Sequence, residues 1–174
     1  MSVTNLVIFS HGLDSSPRSA KISALAQCAH ELGFATEALD YQGLEPLDRV
    51  AKLLAFGRTL SAPPILVGSS LGGHVAAAAS IELKARGLFL MAPAFYMPGF
   101  EQYTPKPSEC PISIVHGWRD AVVPVANSIR YARDYRATLQ VLDADHRMLA
   151  HMTALQAYFR QFLQGLLADA RVNQ

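Results

Sequence analysis

Short apolar runs alternate along this chain with longer segments in which apolar residues recur every three or four positions. A short run rich in valine, isoleucine, leucine and phenylalanine predicts a buried strand, and the longer period predicts a helix. The runs that predict strands occupy residues 6–10, 34–41, 65–68, 87–92, 112–117 and 138–142. Strands that alternate with helices form right-handed βαβ units and a parallel sheet. The alternation therefore predicts an α/β fold, a three-layer α/β/α sandwich around a mainly parallel sheet of about six strands.

The segments between these strands carry helix start and stop signals. Pro17 suits the first turn of a helix with Ser16 as its N-cap, and Gly33 suits the position after the last turn. A second helix is expected to begin near Pro46. Further predicted helices occupy residues 71–84, 125–135 and 151–167.

Composition narrows the class of protein. The chain has 174 residues, of which 51% are hydrophobic, so one domain spanning residues 1–174 with a sizeable core is expected. The net charge is +1 and lysine and arginine form no run, which argues against a nucleic-acid partner. The apolar run at residues 6–9 is too short for a signal peptide or a membrane span, so we expect no membrane partner and a cytoplasmic location. Cys28 and Cys110 fit no metal spacing and are expected to be free thiols.

One motif carries chemistry of its own. Residues 68–72 read Gly-Ser-Ser-Leu-Gly, a G-x-S-x-G pattern between a predicted strand and a predicted helix. In that context the central serine, Ser70, lies on a sharp turn that exposes its hydroxyl. The turn requires a positive φ at Ser70, and glycine at positions 68 and 72 removes side chains that would keep strand and helix apart. Ser70 is thus a candidate nucleophile. For the motif taken alone, a serine- and glycine-rich turn without chemistry is the alternative.

Two further candidates follow the last two predicted strands. Asp120 lies in the loop after the fifth strand, and His146 lies in the loop after the sixth. Because the carboxyl ends of parallel strands meet at one edge of a sheet, both loops can approach Ser70 there. A neutral histidine can take the proton of a serine hydroxyl, and a carboxylate can keep its other ring nitrogen protonated. The chain order Ser70, Asp120, His146 is the order found in hydrolases with this motif.

The identity of the acid has alternatives. Asp120 precedes a predicted helix, where an aspartate commonly caps a turn. Asp143 is a second candidate acid, although it and Asp145 stand close in sequence to His146. A metal site built from these acids and the neighbouring histidines is not expected, because their spacing fits no metal template.

Attack on a carbonyl needs two hydrogen-bond donors for the oxygen that becomes an anion. The backbone N–H of Leu71, at the N-terminus of the helix after the motif, is one candidate. The second is the N–H of Leu13, in the loop after the first strand. His11 lies in the same loop and is expected to be a structural residue that fixes the loop, rather than a base.

These segments together resemble the α/β-hydrolase superfamily: His11-Gly12, residues 68–73, residues 116–124 and Asp145-His146. Residues 10–21, Ser-His-Gly-Leu-Asp-Ser-Ser-Pro-Arg-Ser-Ala-Lys, are similar to a group of small, lid-less bacterial esterases of the YqiA type. The resemblance implies an α/β-hydrolase fold with a minimal cap. It matches Ser70, Asp120 and His146 to the catalytic triad and the N–H groups of Leu13 and Leu71 to the oxyanion hole.

The resemblance also implies a function. We expect a serine hydrolase that cleaves small carboxylic esters or thioesters through an acyl-enzyme on Ser70, with no metal and no organic cofactor. Cleavage of amide, peptide or carbon–carbon bonds by the same triad is an alternative. A non-catalytic binding domain on the hydrolase scaffold is another, because a fold does not determine function.

The chain departs from many relatives at residues 93–110, where they insert a helical cap. The short arm found here cannot bury a long acyl chain, so a small-molecule acyl substrate is expected rather than a long-chain lipid. The large side chains that can wall an apolar pocket beside the nucleophile are Phe95, Tyr96, Met97 and Trp118. The alternative for them is that they cover apolar core surface.

Overall fold

The computed structural model describes residues 5–172. Six parallel strands form one sheet in the order β2-β1-β3-β4-β5-β6. The strands are β1 (Leu6–Ser10), β2 (Ala35–Leu39), β3 (Ile65–Ser69), β4 (Gly87–Met91), β5 (Ile112–Gly117) and β6 (Thr138–Leu142). The helices are α1 (Ala20–Glu31), α2 (Pro46–Gly57), α3 (Leu71–Ser80), α4 (Val125–Tyr135) and α5 (Met152–Val172). Two 3₁₀ turns, Glu101–Tyr103 and Leu149–His151, lie in the connections.

The sheet separates two apolar clusters. Val7 and Phe9 of β1 face a cluster that contains α1 and α5, whereas Ile8 faces a cluster that contains α2, α3 and α4. The same alternation runs through the central strands, and every residue of β4 is buried. A parallel sheet covered on both faces has this near-continuous apolar pattern. The predicted three-layer α/β/α sandwich with six parallel strands is confirmed.

The strand order creates a crevice at the carboxyl edge of the sheet. β1 lies between β2 and β3, so the chain crosses to the other side of β1 after β2 is complete. The loops that follow β1 and β3 leave toward opposite faces at this reversal, and ligands bind in the gap between such loops. The fold therefore sets the loop after β1 beside the turn after β3.

Several helix boundaries differ from those that the sequence predicts. Ser16 and Pro17 form a turn that precedes α1, in which the Ser16 hydroxyl accepts from the N–H of Arg18 (3.2 Å). The N-cap is instead Ser19, whose hydroxyl accepts from the N–H of Ile22. The expected α1 cap was therefore wrong by one turn.

The third and fifth helices end elsewhere than expected. α3 ends at Ser80 and not at residue 84, because the N–H of Ala85 folds back onto the Ser80 carbonyl (2.9 Å) and Lys84 adopts a positive φ of 51°. α5 continues to Val172, past residue 167, through residues that favour helix. The predicted ends near Gly33 and Pro46 are confirmed.

The two cysteines lie on opposite sides of the sheet. Cys28 packs in the cluster with α1, whereas Cys110 packs against the cluster on the opposite face of the sheet, and both thiols are free. Within residues 5–172, no helix combines the length and the apolar character that crossing a membrane requires.

Candidate active site

Ser70 lies at the turn between β3 and α3 with φ 54° and ψ −119°. A residue with a side chain is held in such a conformation at a cost of about 1–3 kcal/mol, so the surroundings must fix it. They do so through the Ser70 backbone: its N–H donates to the Met91 carbonyl (2.9 Å), and its carbonyl accepts from the N–H groups of Gly73 and Ala94. The positive φ predicted from the motif is confirmed.

The glycines of the motif permit the close approach of three backbones. A Cβ atom on Gly68 would lie 2.2 Å from the Gly72 carbonyl oxygen, so a side chain there would separate β3 from α3. A Cβ atom on Gly72 would lie 1.9 Å from the Ser10 carbonyl oxygen, at the end of β1. Gly72 therefore seats the start of α3 against the neighbouring strand as well as its own.

The structure brings Ser70, Asp120 and His146 together. His146 Nε2 lies 3.0 Å from Ser70 Oγ, and His146 Nδ1 lies 2.7 Å from Asp120 Oδ2. Because a carboxylate only accepts, Nδ1 carries the ring proton and Nε2 is left to accept from the serine hydroxyl. The Asp120 side chain is fully buried, whereas that of His146 is 20% exposed, so a ligand can reach the histidine but not the acid.

The two carboxylate oxygens of Asp120 accept hydrogen bonds from different groups. Oδ1 accepts from the N–H groups of Val122 and Val123, both at 2.8 Å, which is the turn-capping role that the sequence left open. Oδ2 accepts from His146. Burial opposes ionisation of the carboxyl group, but the hydrogen bonds from His146 and from the two N–H groups outweigh it and lower the pKa of Asp120. The acid is therefore ionised at neutral pH.

A second imidazole contacts the same carboxylate, and sequence reasoning assigned it no role. His116, at the end of β5, is fully buried, and its Nε2 lies 3.0 Å from both Asp120 Oδ2 and the Val123 carbonyl oxygen. With two acceptors there, Nε2 carries the proton, and Nδ1 accepts from the Ser128 hydroxyl at 2.7 Å. Burial lowers the pKa of His116, which keeps the ring neutral. The one sequence feature that could have indicated this contact is that His116 stands four residues before Asp120.

The rival acids have other partners. Asp143 forms an exposed ion pair with Arg119, at 2.8 Å. Asp145 Oδ1 accepts from the N–H groups of Arg147 and Met148, which shapes the turn that carries His146. Asp120 is thus the carboxylate that contacts the histidine.

The loop after β1 passes close to the nucleophile. A Cβ atom built on Gly12 would lie 3.5 Å from Ser70 Cβ, so the backbone of Gly12 lies against the nucleophile. Leu13 is the next residue along this loop. The N–H of Leu71 is the first of α3 and, like other N–H groups in a first turn, has no intrahelical acceptor. The two candidate oxyanion donors therefore belong to residues next to this contact, Leu71 directly after Ser70 and Leu13 directly after Gly12.

Two buried side chains hold this loop in place. Arg49, from α2, is 1% exposed and donates to the carbonyl oxygens of His11 and Gly12, both at 3.3 Å, and to that of Leu13 at 3.5 Å. His11 donates from Nδ1 to the Gly12 carbonyl (2.8 Å) and accepts at Nε2 from the N–H of Tyr41 (2.8 Å). A ring that accepts at one nitrogen is neutral, so His11 is a structural residue, as expected. Sequence reasoning missed Arg49.

The predicted pocket residues lie in different environments. Phe95 has no exposed surface and stacks on Tyr131 with ring centroids 4.0 Å apart, so the structure corrects the expectation that it lines an open pocket. Tyr96 is half-buried, with the Arg130 guanidinium 3.9 Å above its ring. Met97 is half-buried and Trp118 is 58% exposed. The arm that begins at residue 93 thus packs on α4 through its first aromatic residue.

A cleft adjoins the loop after β1. It is open to solvent, has a volume of about 470 Å³ and is lined by Leu13, Asp14, Ser15, Ser16, Gln42 and Gly43. Its lining is largely polar. Among residues 5–172 there is no cluster of three or more His, Cys, Asp or Glu side chains arranged to hold a metal ion.

Comparison with known proteins assigns the family. A model of the uncharacterised protein family UPF0227 matches residues 6–109. A protein from Xanthomonas campestris pv. campestris, assigned to the alpha/beta superfamily of hydrolases, is 34% identical, with a TM-score of 0.85 over 92% of this chain and 99% of that one. The chain belongs to the UPF0227 family, within the α/β-hydrolase superfamily. The predicted resemblance is confirmed at this level.

More distant structures share the fold of this UPF0227 member. Est1E from Butyrivibrio proteoclasticus is 19% identical, with a TM-score of 0.84 over 94% of this chain and 88% of that one. Mouse alpha/beta hydrolase domain-containing protein 10 is 22% identical, with a TM-score of 0.78 over 94% of this chain and 91% of that one. A search of curated proteins gives no match. These two matches show the fold, and the 34% identical hydrolase supports hydrolase activity in general.

Proposed function

We propose that this protein is a serine hydrolase that cleaves small carboxylic esters or thioesters through an acyl-enzyme on Ser70. The observation that carries the proposal is the continuous hydrogen-bonded relay from Ser70 Oγ through His146 to Asp120, with distances of 3.0 and 2.7 Å. Membership of a hydrolase superfamily supports the general class of reaction. The relay supports the serine mechanism.

In the first step, His146 Nε2 takes the proton of the Ser70 hydroxyl as Oγ attacks the carbonyl carbon of the ester. The carbonyl oxygen becomes an anion, which the N–H groups of Leu13 and Leu71 stabilise. Loss of one such donor typically lowers kcat by about 10²–10³-fold. Asp120, ionised and buried, stabilises the imidazolium that forms.

To complete acylation, His146 gives its proton to the leaving alcohol or thiol as the bond to the acyl carbon breaks, and the acyl group stays on Ser70. Water then attacks the acyl carbon while His146 takes one of its protons. The carboxylic acid leaves as Ser70 recovers its hydrogen. No group other than these residues and water is needed to balance the reaction.

The arm at residues 93–110 supports a small acyl group. It contributes only the turn Glu101–Tyr103 as regular structure, and Asn127 of α4 ties it down by donating to the carbonyl oxygens of Phe95 (2.8 Å) and Tyr96 (3.3 Å). The arm offers no helical cap under which a long chain can be buried. We expect activity to fall as the acyl chain lengthens.

Labelling with a fluorophosphonate probe tests the mechanism. We expect the wild type and Ser61→Ala to be labelled and Ser70→Ala to remain unlabelled; Ser61 is exposed in the loop before β3. His146→Ala should lose turnover of 4-nitrophenyl acetate by a factor similar to that of Ser70→Ala, since triad members act as a unit. Labelling of Ser70→Ala, or near-normal turnover by either variant, contradicts the proposal.

A substrate panel separates ester cleavage from the alternatives. 4-Nitrophenyl esters from acetate to dodecanoate and thioesters of the same acids are compared with 4-nitroanilides. Turnover that is highest for short esters or thioesters supports the proposal. Preferential cleavage of anilides supports an amidase, and a protein that binds these compounds without turnover is a binding domain.

A further inference from the structure

Lys21 is a cation close to the candidate nucleophile, and it takes no part in the proposed relay. It lies in the first turn of α1, and its ammonium group donates to the Ser69 hydroxyl at 2.9 Å. Ser69 is the last residue of β3 and directly precedes Ser70. The lysine side chain therefore crosses from the helix to the carboxyl end of the strand that carries the nucleophile.

Among the described residues, the ammonium group of Lys21 makes no direct ion pair. Within residues 5–172, no carboxylate lies at ion-pairing distance from it, and the Ser69 hydroxyl is its hydrogen-bond acceptor. An ammonium group has three N–H donors, so two remain for another partner. Lys21 is partly buried, and a charge removed from water without a partner costs free energy. A positive charge kept there against this cost indicates an anion that is bound during function.

The charges around Lys21 are consistent with an anion site beside it. Burial, and after it the nearby positive charge of Arg147, lower the pKa of Lys21 to about 8. The negative charges of Asp145 and Asp120 raise it, although neither carboxylate pairs directly with the ammonium group. Arg147 is exposed and directly follows the base. Two cations thus lie near the relay, and the nearby acids act on Lys21 only from beyond ion-pairing distance.

We propose that Lys21 is a specificity-determining residue that binds an anionic group of the substrate, a carboxylate or a phosphate, beside Ser70. The two remaining N–H groups of its ammonium donate to the anion, and the Ser69 hydroxyl, which accepts from Lys21, turns its own hydrogen toward the same oxygens. Arg147 adds a second positive charge at the open side. The inference rests on the proposed function and names the class of ester that the site prefers, an ester with a negative charge.

The charge can belong to either half of the substrate, and two matched pairs distinguish the halves. 4-Nitrophenyl hydrogen adipate carries a carboxylate on the acyl group, and its methyl ester is the neutral match. 4-Acetoxybenzoate carries a carboxylate on the leaving group, and 4-acetoxybenzamide is the neutral match. We expect the wild type at pH 7 to prefer the anionic member of one pair by about tenfold or more in kcat/KM, the effect of a charge-assisted hydrogen bond.

Two substitutions attribute the preference to the ammonium group. Lys21→Met keeps the length of the side chain without its charge, and we expect it to abolish the preference while kcat/KM for the neutral ester changes less than about twofold. Lys21→Arg keeps the charge and should retain most of the preference. In the wild type the preference should decline as the pH rises through the pKa of Lys21, about 8, because the neutral amine no longer attracts the anion.

The outcomes are distinct. A wild type without any anionic preference, or a Lys21→Met variant that loses turnover of neutral and anionic esters equally, overturns the inference; in the second case Lys21 only supports Ser69. Neutral esters report on the proposed function separately. If the protein neither hydrolyses them nor reacts with the fluorophosphonate probe, the proposed function fails and this inference fails with it.

Discussion

Replacing Asp120 with asparagine tests the relay at its buried end. Asp120 Oδ1 accepts from two backbone N–H groups, and the oxygen of an amide can keep both. The amide NH₂ group then faces His146 Nδ1–H and His116 Nε2–H, which are also donors. His146 can regain a partner only if Nδ1 loses its proton, and Nε2, which faces Ser70, must then carry it. A protonated Nε2 cannot accept the proton of the serine hydroxyl.

The expected magnitude follows from that count of donors and acceptors. A wrong histidine tautomer in a serine triad lowers kcat by about 10⁴-fold, which corresponds to about 5 kcal/mol of barrier. The free energy of unfolding should fall by about 1–3 kcal/mol, because Asp120→Asn costs two charge-assisted hydrogen bonds while His116 keeps the Val123 carbonyl as an acceptor. Activity should thus fall far more than stability.

Steady-state hydrolysis of 4-nitrophenyl acetate measures the first quantity, and urea denaturation measures the second. Asp143→Asn is the matched control, because it removes the rival acid, whose exposed carboxylate pairs with Arg119. We expect this control to change kcat/KM by less than about twofold, since exposed ion pairs contribute little. The reasoning is refuted if Asp120→Asn keeps more than about a tenth of the wild-type activity. It is also refuted if Asp143→Asn loses as much activity as Asp120→Asn is expected to lose.

Four further outcomes are expected. His116→Phe removes a donor from the carboxylate, so kcat/KM should fall about tenfold and the acid limb of its pH profile should move to higher pH. Arg49→Met frees three carbonyl groups of the oxyanion loop, and kcat should fall by about tenfold or more in steady-state assays. Gly72→Ala should lower the free energy of unfolding by about 3 kcal/mol or more in urea titrations, since its Cβ meets backbone, whereas Gly165→Ala, in open helix, should raise it by about 0.5–1 kcal/mol. Because hydrogen bonds lower the folded-state pKa of Asp120, its stabilisation is present above the ordinary aspartate pKa of about 4 and is lost as the pH falls through the folded value. The urea midpoints of wild type and Asp120→Asn should converge there.

The fold could be predicted from the sequence because its signals are local. The central strands are short apolar runs, and their burial on both faces leaves little freedom in the choice of residues. Helix ends were less predictable where two signals competed. Ser16 and Ser19 are both residue types whose hydroxyl can cap a helix by accepting from the N–H group three residues later. Only the packing of the preceding turn decides between them. Ser16 already accepts from Arg18, and the helix begins one turn later.

The candidate site could be predicted as far as its residues follow strand ends. Ser70, Asp120 and His146 each lie in a loop at the carboxyl edge, so the order of the strands brings them together without any knowledge of packing. Phe95 was misplaced because an aromatic residue after a strand can turn toward the pocket or toward the core. The neighbouring helix decides this through Tyr131, which lies 36 positions later in the sequence and offers a stacking surface.

Two side chains have contacts at the site that the sequence did not reveal. Arg49 holds the loop after β1 from a helix that follows the next strand, and Lys21 contacts Ser69 across 48 positions of the chain. Lys21 ends the segment 10–21 that carries the family resemblance, but spacing could predict neither contact, because both depend on how two helices pack on opposite faces of the sheet. If the proposals hold, we expect the motif residues to determine the chemistry and such long-range side chains to determine how rigid the site is and what charge it accepts. Differences in substrate among proteins that share the motifs should therefore lie at positions equivalent to 21 and 147 rather than at the triad.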